Sequence, residues 1–271
     1  MTATGIPAVG DLRVVLRQTR YAIVSSTRDS RGVVFGIVFP VVLLVLFNSI
    51  FSSGDNLTVN FHHHEVRTRA IFTAGMAAYA IMLQSFSTLS ITMTTQRESG
   101  QLKRLRGTPM RPWTFVAAHV IRAVLFAFAL VVALLLIGRL VFDVRLTGGA
   151  LAGVAVYTAL GAAVMATLGM AVTAFIPTVN AASSVGPFTA AILAFISGVF
   201  IPPDILPDWL ATLGRVFPLQ PLADGLQRAV TGVAGGTGLT VHNVTVLLAW
   251  GAAGLVVAAR RFQWVPQGVG A

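Results

Sequence analysis

The chain contains no cysteine and very little charge. Of its 271 residues only 10% are Asp, Glu, Lys or Arg, whereas 55% are hydrophobic, and the mean hydropathy is +0.81. Without cysteine there can be neither a disulfide framework nor a cysteine-based metal or redox site. Soluble domains carry about 25% charged residues, so this chain cannot cover a water-facing surface. The composition therefore excludes a soluble protein and predicts an integral membrane protein.

Sequence motifs of several enzyme classes are also missing. Lys103 is the only lysine, and no G-x-x-x-x-G-K-[ST] phosphate-binding loop leads to it. The H-E-x-x-H and G-x-S-x-G patterns of hydrolases are absent too. We therefore predict that the chain is not itself an enzyme and binds no cofactor. We interpret its net charge of +10 as the Lys and Arg excess of cytoplasmic loops, so no nucleic-acid partner is expected.

Six segments are long and apolar enough to cross a hydrocarbon core, which takes about 20 residues of helix. They lie at about 33–51, 70–95, 114–142, 150–176, 181–201 and 243–259. Before the first span, residues 11–31 predict an amphipathic helix whose basic face carries Arg13, Arg17 and Arg20. Such a helix is suited to lie in the membrane interface against anionic lipid.

Two further patterns complete the predicted architecture. Pro207 and Pro221 stand where the first turn of a helix accepts proline, which predicts two short re-entrant helices within 202–231 on the outer side. Small residues recur every four positions along the fourth span, starting at Ala155, and this spacing favours close helix packing. The sequence therefore predicts an all-α membrane protein with six transmembrane helices and a single domain over residues 1–271.

The distribution of Lys and Arg predicts the orientation. If the N-terminus is cytoplasmic, thirteen of the nineteen basic residues fall on the cytoplasmic side, in agreement with the positive-inside rule. Both termini are then cytoplasmic. Arg122 and Arg139 bracket the apolar part of the third span, so we expect them to extend towards opposite headgroup layers. A preference for Arg over Lys, with abundant Ala, Val and Gly, is typical of GC-rich bacterial genomes.

The segment from Gln96 to Pro112 is the densest cluster of charge and connects the second and third spans. Its basic residues are Arg97, Lys103, Arg104, Arg106 and Arg111. Residues 98–106 fit one short cytoplasmic helix, in which Glu98, Leu102 and Leu105 align on one side that faces the cytosol. Gly107 can end this helix. A loop that only sets the topology would explain the charge, but it would not explain the helical pattern.

Polar side chains line one arc of the second span. They are Gln84, Ser85, Thr88, Thr92 and Thr95. Because polar groups are costly in hydrocarbon, this arc is expected to face the protein interior or a wet cavity. Two interpretations remain open, namely the lining of a translocation path and plain packing between helices.

His62, His63 and His64 form the only tight run of possible metal ligands. Imidazole binds zinc and copper, but three adjacent residues do not converge easily on one ion. We therefore predict no metal site and interpret the run as a polar loop on the outer side.

The segment Arg97–Pro109 resembles the loop between the second and third spans of ABC-2 type exporter permeases. That family implies a coupling helix here, seated in a groove of a separate ATP-hydrolysing subunit. The coupling residues implied by the resemblance are Glu98, Gly100, Leu102, Lys103, Arg104, Leu105, Arg106, Thr108 and Pro109. Residues 217–228 are similar to the family's hairpin before the last span. The resemblance covers nearly the whole chain and points to the daunorubicin-type drug and lipid exporters.

The resemblance implies a permease subunit that moves an amphiphilic drug or lipid out of the bacterial cytoplasmic membrane. Two copies, or this chain and a related permease, would form the path, and ATP and Mg would bind to partner ATPase subunits. The basic N-terminal helix would contact the ATPase and the inner leaflet. The alternative is an ATP-independent carrier or channel, although the span centres lack the ionisable residues that such carriers use. A membrane-embedded enzyme would have only the histidine run for catalysis.

Overall fold

Apolar helices make up most of the chain. A computed structural model describes residues 11–28, 34–51, 57–107, 111–146, 148–200, 207–233 and 237–261. The elements are α1 (Asp11–Arg28), α2 (Phe39–Phe51), β1 (Thr58–Phe61), β2 (His64–Arg67), α3 (Thr68–Met82), α4 (Thr88–Glu98), α5 (Gln101–Arg106), α6 (Pro112–Phe142), α7 (Ala150–Val172), α8 (Val179–Ile196), α9 (Asp208–Val216), α10 (Leu219–Thr231) and α11 (Val241–Arg261). One π-helical turn, Val34–Val38, precedes α2, and another, Leu83–Ser87, joins α3 to α4.

Within the described residues, five helices are long and apolar enough to cross a membrane. They are Thr68–Glu98, Trp113–Phe142, Ala150–Val172, Val179–Ile196 and Val241–Arg261, and a shorter apolar helix covers Gly36–Phe51. These six helices coincide with the six predicted spans to within a few residues at each end. The prediction of an all-α, multi-pass membrane protein is therefore confirmed.

A β-hairpin between the first two spans was not predicted. β1 and β2 pair antiparallel with Phe61 opposite His64, so His62 and His63 form a two-residue turn. Their φ angles are 49° and 66°, and positive values at both turn residues are what a type I′ hairpin turn requires. Histidine is among the few residues besides glycine that are enriched in this region. The strands are only four residues long, too short for alternation to reveal them.

The helix over Thr68–Glu98 runs through the centre of the bundle. Its most apolar stretch is 94% buried, whereas those of Val179–Ile196 and Val241–Arg261 are each only 22% buried. α3 packs against α2, α6, α7 and α10. Small residues such as Ala74 and Ala78, both fully buried, allow neighbouring helices to approach closely. The second span is therefore covered by this chain itself, while the fifth and sixth keep wide exposed apolar faces.

The bundle has two ends. The α5 end carries α1, α5 and the turn between α7 and α8, and the hairpin end carries β1, β2, α10 and the start of α11. At the α5 end, α1 packs along α6. Val15 and Ala22 are buried in this contact, while Leu12 and Leu16 remain exposed. The apolar face predicted for α1 is thus divided between a contact with α6 and an exposed strip.

Arg122 does not extend from the third span as expected. Its side chain is only 1% exposed, and its guanidinium carbon lies 5.8 Å from the centroid of the Phe126 ring, within the range of a cation–π contact. Arg139, in contrast, is exposed. The expectation is wrong for Arg122 because the length of a span does not reveal which neighbouring helix covers its end.

Candidate functional site

The connection between the second and third spans forms two helical pieces rather than one. α4 continues to Glu98, the chain turns at Ser99 and Gly100, and α5 then begins at Gln101. Gly100 has a φ of 72°, a conformation that residues with a Cβ atom rarely adopt. The prediction of one helix over 98–106 is therefore wrong at its start. Glu98 belongs to the end of the second span.

Leu102 points into the bundle, so the prediction that it faces the cytosol is wrong. Its side chain is 1% exposed and lies in an apolar cluster with Leu89, Met93 and Phe115. Leu105 is half-buried at the edge of this cluster. Among the side chains of α5 whose burial the structure describes, those of Gln101, Lys103 and Arg104 are exposed. Of the other predicted coupling residues, Arg106 ends α5, and Thr108 and Pro109 lie outside the described residues.

A cleft of about 480 Å³ lies between α1 and α5. Its walls include Arg17 and Tyr21 of α1, Arg104 and Leu105 of α5, and His119 of α6. Two arginines from separate helices therefore meet across one cleft, with aromatic and aliphatic side chains beside them. The arrangement suits a partner that offers both acidic and apolar groups.

An exposed ion pair links α1 to the start of α6 beside this cleft. Arg111 Nη1 lies 2.8 Å from Asp11 Oδ2, which connects the first residue of α1 to the residue before α6. Both side chains are solvent-accessible, so the pair contributes little stability. Arg13 and Arg20 are exposed, and with Arg17 they give this end of the molecule a basic surface.

Arg97 is a buried charge at the α5 end. Its side chain is only 2% exposed, and its guanidinium donates hydrogen bonds to the carbonyl oxygens of Thr173 (2.7 Å), Pro177 (3.0 Å) and Ile176. These carbonyls follow the end of α7, where the helix dipole is negative. The sequence predicted Arg97 only as one of several loop cations, because its partners lie far along the chain.

Glu98 makes the complementary contact with the next helix. Its carboxylate oxygen Oε1 accepts a hydrogen bond of 2.8 Å from the backbone N–H of Val179, the first residue of α8. The N-terminal N–H groups of a helix have no partner within the helix, and the helix dipole there is positive. We name Arg97 and Glu98, with the backbone groups that they bind, the α4 clamp.

The structure divides the polar residues of the second span into two groups. Gln84 and Ser85 are buried inside the chain. A Cβ atom added to Gly36 would lie 2.7 Å from Gln84 Oε1, and one added to Gly169 would lie 3.1 Å from the Ser85 carbonyl oxygen. The surrounding backbone therefore encloses Gln84 and Ser85 tightly, as the packing interpretation predicts.

Three of the four threonines of α4 are less enclosed, whereas Thr94 is fully buried. Thr88 and Thr92 are half-buried and Thr95 is exposed. Their hydroxyl groups donate to carbonyl oxygens of their own helix, at 3.1 Å, 2.7 Å and 2.9 Å respectively. This backbone bonding satisfies the hydroxyl protons within the helix. A role for these residues in a translocation path stays a prediction.

The histidine run takes part in a polar network at the hairpin end. His62 Nε2 lies 2.6 Å from Asp224 Oδ1, and Arg228 Nη2 lies 2.8 Å from the same nitrogen. Since a carboxylate only accepts, we assign the Nε2 proton to the bond with Asp224. The protonated Nε2 has no free lone pair, so the contact with Arg228 Nη2 is not a hydrogen bond. His63 and His64 are exposed. Among the described residues no three His, Cys, Asp or Glu side chains form a group that could hold a metal ion.

Asp224 is the centre of this network. Its Oδ2 atom accepts hydrogen bonds from Arg228 Nε and from Asn243 Nδ2, both of 2.7 Å. Burial alone would raise the pKa of the Asp224 carboxyl. The hydrogen bonds from His62 and Asn243 and the charge of Arg228 outweigh burial, so the pKa lies below its ordinary value. The carboxylate is therefore ionised at neutral pH.

Comparisons with known proteins agree with the resemblance. Residues 15–230 match the ABC-2 type transporter family. The chain is also 21% identical over 224 residues to a Bacillus subtilis (strain 168) protein whose name describes it as a transport permease, YvfS, and the match covers 82% of this chain and 86% of that protein. The family match includes most of α1, the α4 clamp, α5 and Asp224. The chain therefore belongs to the ABC-2 type transporter family, as the permease component of an ABC transporter.

Proposed function

We propose that this chain is the permease subunit of an ATP-driven exporter of amphiphilic drugs or lipids in the bacterial cytoplasmic membrane. Two permease copies, or this chain and a related one, form the path, and both termini are cytoplasmic. ATP and Mg bind to the partner ATPase subunits, while this chain binds neither a cofactor nor nucleic acid. The main support for the proposal is the orientation of α5, which buries Leu102 in the bundle and exposes a basic side.

The exposed side of α5 suits the docking of an ATPase subunit. Leu102 fixes the helix to the bundle, and Lys103 and Arg104 project outward beside the cleft that α5 shares with α1. A partner surface that fills this cleft would contact Arg17 and Arg104 together. Because the anchor is apolar and buried, a force on the outer side of α5 would act on the bundle rather than only bend a loop.

The exposed apolar faces support a path between two copies rather than through one chain. On α8, Phe188, Ile192 and Phe195 share a helical face and are 68%, 43% and 52% exposed. Gln84 and Ser85 are enclosed by this chain, so substrate cannot reach them without helix movement. We propose that the partly exposed threonines of α4, which packs against α8, line the path when two permeases meet.

The experiment is a reconstitution of the complex. The tagged chain is purified from its own bacterial membranes, the co-purifying ATPase is identified by nucleotide photolabelling, and both are placed in proteoliposomes with a fluorescent phospholipid or anthracycline. We expect no ATP hydrolysis by the chain alone, and ATP-dependent movement only when the partner is present. A partner without its phosphate-binding lysine is the control. Transport by the chain alone on a proton or sodium gradient would contradict the proposal and favour the carrier alternative.

A further inference from the structure

We infer that Arg97 and Glu98 are positioning residues that make α4, α7 and α8 move together when α5 is displaced. The inference rests on the proposed function, because it takes α5 as the helix that receives the movement of the ATPase. It assigns to Glu98 a contact within the chain in place of a contact with the partner.

The α4 clamp lies directly before α5 in the chain. Only Ser99 and Gly100 separate it from α5. Arg97 holds the end of α7, and the adjacent Glu98 holds the start of α8. Two consecutive side chains of one helix thus bind both sides of a single helix–turn–helix connection. Any displacement of α5 that moves the end of α4 must either carry this connection along or break these bonds.

Burial makes the Arg97 half of the clamp resistant to breaking, whereas the bond between Glu98 and Val179 lies at the exposed surface. The guanidinium of Arg97 is positive at the negative end of α7, and the carboxylate of Glu98 is negative at the positive end of α8. Arg97 is almost fully buried, so separation would leave a charge and several carbonyl groups without partners in a site from which water is excluded. Such unpaired buried groups are costly. The planar fork of arginine also binds these carbonyls through two separate nitrogens, Nη1 and Nη2, which the compact ammonium group of lysine cannot reproduce.

A second close approach joins α4 to α8 further along the helices. A Cβ atom added to Gly186 would lie 3.2 Å from the Ser87 Cα atom and 3.3 Å from the Ser90 hydroxyl oxygen. α8 is therefore bound to the second span at its first residue, through Glu98, and again two turns later. A rotation of α4 would turn the exposed aromatic face of α8, which is the face proposed to meet the second permease.

The first test uses the reconstituted transporter and the ratio of substrate moved to ATP hydrolysed. Glu98→Ala removes the acceptor for the Val179 N–H, whereas Glu98→Gln keeps an acceptor oxygen without the charge. We expect Glu98→Ala to lower the ratio about fivefold, a typical size for a lost coupling between sites, with unchanged affinity for the ATPase. Glu98→Gln should restore most of the ratio, and Asn180→Ala, an exposed change in the same turn, should leave it unchanged.

The second test measures whether the helices move as one unit. Because the chain has no cysteine, spin labels can be attached in the assembled transporter through Ser99→Cys and Ser184→Cys, both at exposed positions. The distance between the labels should be the same in the nucleotide-free and ATP-trapped states. In the Glu98→Ala background it should change or broaden on trapping. Arg97→Lys is expected to behave like Glu98→Ala. The test rests on Glu98→Ala, so it remains valid even if Arg97→Lys does not fold.

The results distinguish a failure of the proposed export function from a failure of the inference about Arg97 and Glu98. A parent transporter without ATP-driven transport would overturn the proposed function and the inference with it. If the parent transports normally, an unchanged ratio and an unchanged label distance in Glu98→Ala would overturn the inference alone. A loss in Glu98→Gln as large as that in Glu98→Ala would also overturn it, because the hydrogen bond to Val179 would not be the cause.

Discussion

The Nε2 atom of His62 lies 2.6 Å from the Oδ1 atom of Asp224, 162 positions later in the chain. This bond joins the turn of the β-hairpin to α10, and the other oxygen of Asp224 binds Asn243 in α11. One carboxylate thus connects three elements that are far apart in sequence. We expect it to stabilise the hairpin end, and two of the predictions below follow from it.

Replacing Asp224 should destabilise the protein. Asp224→Ala leaves the amide of Asn243 and the guanidinium of Arg228 without their acceptor, and partly buried groups that lose a partner cost about 2 kcal/mol. The measurement is thermal unfolding of the purified protein in detergent at neutral pH. Asp143→Asn is the control, because Asp143 is exposed, its ion pairs span 3.6 Å and 3.8 Å, and asparagine tolerates its left-handed φ of 49°. Equal losses for the two variants would contradict the prediction.

The contribution of Asp224 should depend on pH in a defined direction. Its pKa is lower in the folded protein than the ordinary value of 3.8, so the unfolded chain binds the proton more tightly. The stabilisation is therefore fully present above about pH 4 and is lost as the pH falls through the folded-state pKa. The difference in melting temperature between the parent and Asp224→Asn should be constant from pH 7 to 5 and shrink below pH 4. A difference that grows on acidification would contradict this assignment.

Gly225→Ala should disrupt the packing between α10 and α7. A Cβ atom at Gly225 would lie 2.2 Å from the Cζ atom of Tyr157, a fully buried residue. Overpacking of this kind costs typically about 1–3 kcal/mol. We expect a lower melting temperature, whereas Gly148→Ala, where a Cβ atom would meet nothing within 4 Å, should have little effect. Tolerance of Gly225→Ala would mean that α10 and α7 are further apart than the structure shows.

The two sides of α5 should respond differently to substitution. Leu102→Ala removes a buried side chain, and such changes cost about 2–5 kcal/mol, so thermal stability should fall. Arg104→Ala removes an exposed charge and should leave stability unchanged while weakening binding of the ATPase, measured by titration of the purified partner. A loss of stability in Arg104→Ala, or full stability in Leu102→Ala, would contradict the orientation of α5.

The close contacts along α7 show that a repeat of small residues does not identify the helix face that packs closely. The small residues that recur from Ala155 predicted close helix packing, and α7 does approach its neighbours closely. Very close approaches, however, also occur outside that repeat, at Gly153, Gly161 and Gly169, which face Thr237, Leu222 and Phe86. A repeat of small residues indicates that a neighbouring helix can pack closely against that face. Several faces of α7 carry small residues, and the positions of the neighbouring helices decide which of these faces are packed closely.

The sequence by itself determined the membrane class, the approximate positions of the six apolar helices and the presence of a short helix between the second and third of them. Each depends on composition or on periodicity along one segment, because a span must fill the hydrocarbon with its own apolar residues. The tertiary structure alone decided that Leu102 faces inward, that Arg97 and Glu98 hold the turn between α7 and α8, and that His62 binds Asp224. The contacts of Arg97, Glu98 and His62 join residues 76 to 162 positions apart, and a contact across that distance leaves no periodic signal in either segment.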